Sequence, residues 1–190
     1  MISKNKLIEK KKKLEELEKR LLNDKKLPLL RSNLVFGEGS IKAQIFFIGE
    51  APGLKEDQLR RPFVGRSGEL LTKTLLSIGI KREDVYITNL VKRRPPENRD
   101  PSLEEIKKYE PYLKEEIKLI DPQIIITLGR LALKDFIPDI KIGQAQGKIF
   151  KIDNRILIPM FHPAFALRGT GNLAKFKKTF DSLPSILGKI

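Results

Sequence analysis

Residues 43–57 read AQIFFIGEAPGLKED. A short apolar run, Ile45 to Ile48, ends on Gly49 and Glu50 and turns at once through Pro52 and Gly53. Such a run, bounded by turn residues, reads as a buried strand. The turn after it is rich in glycine, which lets backbone amides approach a ligand closely. It is not a phosphate-binding Walker loop, because no Lys-Ser or Lys-Thr pair follows at the required spacing. Nor is it a dinucleotide fingerprint, because Pro52 breaks that pattern.

Outward from this stretch the pattern alternates. SGELLTKTLLSIGI carries apolar residues at three- and four-residue spacing and predicts a helix capped by Ser67. DVYITNLV predicts a second strand. DPSLEEIKKYEPYLKEEIKLI predicts a helix capped by Ser102 and kinked at Pro111. DPQIIITLG predicts a third strand, and RLALKDFI a short helix. KIFKIDNRILIPMFH reads as a hairpin turning at Asp153–Asn154, its second arm being the fourth strand, and NLAKFKKTFDSLPSIL closes as a helix. Strands alternating with helices imply an α/β fold with a parallel sheet covered on both faces. Ligands bind such sheets beyond the carboxyl ends of the strands. Those ends are Gly49–Glu50, Asn89, Gly129 and His162, the last being the chain's lone histidine.

Composition narrows the chemistry. The 190 residues fit one domain. With no cysteine and one histidine, disulfides, thiolate metal sites and histidine-rich metal sites are excluded. Nothing approaches the ~20 apolar residues of a membrane span, and the N-terminus has no apolar leader segment, so a cytoplasmic protein is expected. Lys and Arg total 38 against 24 acidic residues, a net charge of +14. Residues 1–26, read as a charged helix with Leu7, Leu14, Leu17 and Leu21 at helical spacing, supply only +5 of it. The remaining +9 sits on residues 27–190, the domain proper, and favours a polyanion such as nucleic acid as partner.

Three further stretches complete the motif set: RRPFVGRSG (Arg60–Gly68), VYITNLVKRRPPENRDP (Val85–Pro101) and FHPAFALR (Phe161–Arg168). With GEAPGLKED (Gly49–Asp57), in this order and spacing, they strongly resemble the type-4 uracil-DNA glycosylases of the uracil-DNA glycosylase superfamily. The likeness runs from about Arg31 to the C-terminal helix. It implies a three-layer α/β/α sandwich around a four-stranded parallel sheet. It also implies excision of uracil from DNA, the first step of base-excision repair, by a monomer that needs no membrane.

The resemblance also assigns roles. Gly49, Glu50 and Ala51 line the uracil pocket and place the attacking water, with Glu50 the nearest side-chain candidate to activate it. Glu56 stands where a thymine methyl would go, Phe63 stacks on the flipped base and Asn89 reads it. His162 faces the uracil O2, and Leu167 with Arg168 enters the minor groove. Physical reasons hold beside the likeness. An extruded base needs a stacking ring, worth ~1–3 kcal/mol. Asn89 can donate to uracil O4 and accept from N3–H, a pattern that cytosine reverses. His162, as a donor at O2, stabilises the anion formed when the glycosidic bond breaks. Leu167 can fill the gap in the stack. Lys92 and Arg94, beside two rigid prolines, are expected to grip phosphates.

One departure is plain. Type-4 enzymes hold a four-iron four-sulfur cluster on four cysteines, and those positions fall here on Leu22, Lys25, Arg93 and Tyr109. The expectation is therefore no metal and no cofactor, with Tyr109 and the stem of Arg93 filling the space. A non-catalytic binder of damaged or single-stranded DNA on the same fold is the alternative reading. A small-molecule enzyme on this sheet fits the fold but not the charge.

Overall fold

A computed structural model describes residues 4–188; residues 1–3 and 189–190 of the predicted terminal segments lie outside the described part. In chain order the elements are α1 (Lys4–Asn23), β1 (Glu38–Gly39), β2 (Ile45–Gly49), α2 (Leu54–Leu59), α3 (Arg66–Ser77) and β3 (Tyr86–Asn89). There follow α4 (Leu103–Ile120), β4 (Ile124–Leu128), α5 (Arg130–Lys134), α6 (Ile142–Ala145), β5 (Phe150–Ile152), β6 (Arg155–Met160), α7 (Pro163–Ala166) and α8 (Thr170–Leu187).

The sheet is six-stranded in the order β1-β3-β2-β4-β6-β5. The pairings β3–β2, β2–β4 and β4–β6 are parallel, while β1 and β5 add antiparallel edges. The expected purely parallel sheet of four strands is thus corrected to a mixed one. The short β1 pairs Glu38 with Ile87 and Gly39 with Tyr86, and the hairpin's first arm, β5, pairs with β6. Every residue of β2, β3 and β4 is buried, as strands covered on both faces must be. Alternate side chains feed two apolar clusters. Phe46, Ile48 and Ile125 pack with α1 and α4 residues, whereas Phe47, Ile87 and Ile126 pack with α3 and α8 residues.

Helix α1 packs on α4 through buried Leu14, Leu17 and Leu21, the same leucines whose spacing predicted the helix. Ser102 caps α4 in a reciprocal capping box with Glu105, and the helix runs on through Pro111. The cap expected at Ser67 is corrected. α3 begins two residues earlier, with Gly65 as its cap residue and no side chain in that role. The carboxylate of Glu56 takes over part of it, accepting from the amides of Val64 at 2.9 Å and Gly65 at 2.7 Å.

Candidate active site

The parallel strands deliver their carboxyl ends to one rim, and the register there is tight: Gly49 on β2 stands beside Asn89 on β3. A Cβ at Gly49 would lie 2.4 Å from Asn89 Oδ1 and 2.5 Å from Phe63 Cζ. Glycine is needed at this position so that the amide and the aromatic ring can both close on the strand end. A cavity of about 980 Å³ opens at this rim, and Glu50, Ala51, Glu56, Phe63, Asn89 and His162 all line it. Sequence reasoning named these six together, and the fold brings them together.

Asn89 is buried, yet its Oδ1 has no hydrogen-bond partner. Leaving such an acceptor unpaired costs ~1–3 kcal/mol. Thr127 Oγ1 and Arg93 Nε are also unpaired, but only Asn89 of the three lines the cavity. His162 follows β6 and caps α7, its Nδ1 accepting from the Ala164 amide at 3.1 Å. That bond leaves the ring proton on Nε2. Desolvation pulls the imidazole down to about 4, against the opposing charges of Glu56 and Asp100. At neutral pH His162 is therefore a neutral N–H donor.

Phe63 is buried, with its ring centroid 5.7 Å from that of His162 and its backbone in the left-handed region at φ 51°. Its carbonyl occupies the place of a side chain at residue 68, since a Cβ on Gly68 would come within 1.8 Å of it. The second glycine of GRSG was the one available signal of this close approach. Glu56, by holding the Val64 and Gly65 amides, fixes the segment after Phe63. Glu50 is held in turn, as its Oε1 accepts from the Leu131 amide at 2.8 Å. Burial raises the Glu50 pKa; the Leu131 bond opposes this, and the charge of Asp100 adds to it.

The basic loop departs from expectation. Lys92 is 0 % exposed, as is its ion-pair partner Glu116, so it cannot grip a phosphate. Its ammonium donates to Glu116, to Thr88 Oγ1 and, at 2.9 Å, to the carbonyl oxygen of Asn89. Burial pushes its pKa down, and the Glu116 carboxylate counters. Lys92 turns inward because the end of β3 leaves an acceptor at Asn89 and α4 places a carboxylate beside it. Arg94 stays partly exposed, outside the cavity lining, and donates at 2.8 Å to Oδ1 of Asn98, which does line it. Leu167 is 43 % exposed just past α7, and Arg168 lines the cavity. Sequence reasoning missed two cations on that lining. Arg99 pairs with Glu105, and Arg130 with Asp100.

The positions matching the cluster cysteines do not suit an iron–sulfur cluster. Tyr109 is fully buried and donates to the Pro28 carbonyl at 2.8 Å, and Arg93 donates to the Ser32 carbonyl, so protein fills this region. Leu22 and Lys25 are exposed, and none of the four residues supplies a thiolate. Among the described residues no group of three or more His, Asp or Glu is placed to hold a metal ion, and no helix is long and apolar enough to cross a membrane.

Comparison with known proteins agrees with this geometry. The family model of the uracil DNA glycosylase superfamily matches residues 36–183. The chain is 38% identical over 188 residues to a type-4 uracil-DNA glycosylase of Archaeoglobus fulgidus, covering 93% of this chain and 94% of the relative. It is 45% identical over 149 residues to one of Thermotoga maritima, covering 77% and 78%. To one of Saccharolobus solfataricus it is 49% identical over 152 residues, covering 75% and 70%.

Proposed function

The chain belongs to the uracil DNA glycosylase superfamily, and from that premise we propose that it is an enzyme hydrolysing the N-glycosidic bond of uracil in DNA, initiating base-excision repair. The observation that carries the reading is the unpaired Oδ1 of buried Asn89 on a cavity shared with a neutral His162. Uracil N3–H offers that oxygen its missing partner, and the Asn89 amide nitrogen donates to O4. Cytosine, with an acceptor at N3 and a donor at C4, would leave both ends of the amide opposed.

In the reaction the bond from C1′ to uracil N1 breaks and its electron pair leaves on the base, spread over N1 and O2. The Nε2–H of His162 donates to O2 and stabilises that charge without transferring a proton. Water adds its oxygen to C1′ and loses a proton, which neutralises the released uracil anion, leaving an abasic deoxyribose and uracil. Glu50, fixed on the Leu131 amide, orients the water, and Ala51 lines the cavity beside it, with Gly49 ending the strand before them. Phe63 stacks on the extruded base. Glu56, immobilised by two amides, occupies the edge where a 5-methyl group would sit and so excludes thymine.

Arg94, Arg168 and the added pair Arg99 and Arg130 meet the DNA backbone, and Leu167 fills the vacated stack. The catalytic body is the domain expected over 27–190, an α/β/α sandwich with a parallel core, and the charged helix α1 (Lys4–Asn23) of the N-terminal segment docks on it through α4. The enzyme acts as a cytoplasmic monomer without a metal or cofactor.

The test is a duplex with one uracil, incubated with protein and then treated with alkali. Strand scission at the uracil is the expected result. A shifted but intact strand means a binder rather than an enzyme and refutes the proposal.

A further inference from the structure

We infer that Arg82, in the turn before β3 and outside every motif quoted above, is the positioning residue that sets the ring of Phe63, gripping the two carbonyls that bracket its backbone; the inference rests on the stacking role proposed for Phe63. A bulky residue at positive φ persists only where its surroundings over-determine it. Phe63 sits at φ 51°, so something must hold it there. From the far side, Glu56 holds the amides of Val64 and Gly65. From the near side, Arg82 donates to the Pro62 carbonyl at 2.5 Å and the Phe63 carbonyl at 3.1 Å.

The guanidinium has no donor left over. Its remaining N–H groups reach Thr72 Oγ1 at 3.3 Å and Glu38 Oε1 at 3.2 and 2.8 Å. A guanidinium has five N–H donors, and all are engaged, so Arg82 is not available as a phosphate ligand. Glu38 is itself braced by Arg61 at 2.8 and 3.1 Å. Burial tends to raise the Glu38 pKa, but the bonds and charges of Arg61 and Arg82 prevail and hold it below the usual value. The two-residue β1 thereby acquires a purpose, since its pairing with β3 delivers Glu38 to the guanidinium.

A cavity of about 290 Å³ borders the loop, lined by Arg61, Phe63, Thr72 and Arg82 among others, and gives it room to relax. Lysine cannot substitute, because three donors on a point charge cannot span two carbonyls, a hydroxyl and a carboxylate in one plane.

Four measurements on Arg82→Met, Arg82→Lys, Phe63→Ala and the Arg82→Met/Phe63→Ala double variant test the inference. Arg82→Met is expected to slow single-turnover uracil excision by roughly 10- to 100-fold, the range of a lost stacking contact. Its affinity for the same duplex carrying an abasic site, which has no base to stack, stays within about twofold. The salt dependence of DNA binding stays as in the wild type, whereas a phosphate ligand would lower the slope by about one. In the Phe63→Ala background the added loss is under about twofold, because the two residues act as one unit. Arg82→Lys does not rescue. Val64 and Gly65 amides of Arg82→Met exchange hydrogen faster in the free protein.

Fully multiplicative losses in the double variant, an equal loss of abasic-site affinity, a reduced salt slope, or unchanged exchange at Val64 and Gly65 would each overturn the inference. Should Arg82→Met fail to fold, Glu38→Gln decides it, with the same pattern in smaller measure. If the wild type itself leaves uracil DNA intact, the proposed function falls, and the exchange rates still decide the clamp.

Discussion

Lowering the pH separates a neutral His162 donor from a cationic one. Burial holds its imidazole at about 4, so at pH 7 about one ring in a thousand is charged. The Ala164 amide on Nδ1 fixes the remaining proton on Nε2, the edge available to a base. The rate of uracil release should therefore show no inflection near 6.5, and at lower pH it should fall as Glu50, whose pKa burial raises, and then the ring take up protons. His162→Ala should lose roughly 10²–10³ in rate, the ~2.7–4 kcal/mol of one preorganised donor to a developing anion. Stability moves in the same window. The folded pKa lies below the unfolded ~6.5, so the unfolded chain binds the proton first. The contribution is intact above about 6.5 and is lost as pH falls towards 4, amounting to up to about 3 kcal/mol. Single-turnover excision and urea melts across pH 3.5–8 read both quantities. An activity inflection near 6.5, or wild-type rate in His162→Ala, would refute the assignment.

Glu116→Gln should destabilise by about 3–5 kcal/mol, because it strands the Lys92 ammonium in a dry site, and should lower the melting temperature by roughly 6–20 °C. Lys92→Met with Glu116→Leu should recover most of that loss in a calorimeter; a single variant melting within about 2 °C of wild type would contradict the buried pair. Tyr109→Phe, which gives up the bond to Pro28, should cost about 0.5–1.5 kcal/mol and leave excision unchanged. Purified protein should show no visible iron–sulfur absorbance and no change in melting temperature on chelation; either signal would reverse the reading of that region.

What the sequence made legible follows its own geometry. Gly49 and Asn89 end β2 and β3, and His162 follows β6 by two positions, so all three could be read from local runs and their boundaries; Asn89, beside Gly49, lines one cavity with His162. Of the two edge strands, β1 escaped notice for a physical reason. β1 is two residues long, below any period a pattern can display, and β5 was visible only as half of a hairpin. Ser67 misled because a capping side chain is a common start signal, whereas here a carboxylate from α2, Glu56, reaches in from eight residues upstream of Val64. Lys92 was read, with Arg94, as a phosphate-gripping cation, whereas it is buried. Its orientation is decided by Glu116, 24 residues away on another element. Arg82 was invisible for the same reason, as Glu38 lies 44 residues before it.

These misreadings share a cause that bears on how the site works. Motif residues touch the substrate and are spaced by local structure; the residues that hold them are recruited across the sheet and leave no spacing behind. Around Asn89 the recruitment is nearly complete. Its carbonyl is held by Lys92, Lys92 by Glu116 and Thr88, and Glu116 accepts from Tyr86 at 3.2 Å. Phe63 is held on both sides by Arg82 and Glu56. Amid so much pairing, the one buried side-chain oxygen or nitrogen on the cavity wall without a partner, among the described residues, is the Asn89 amide oxygen. A fold that satisfies the backbone of Asn89 with a buried ammonium, at the desolvation cost such a charge carries, and yet leaves its side chain open is arranged for a ligand that brings an N–H of its own.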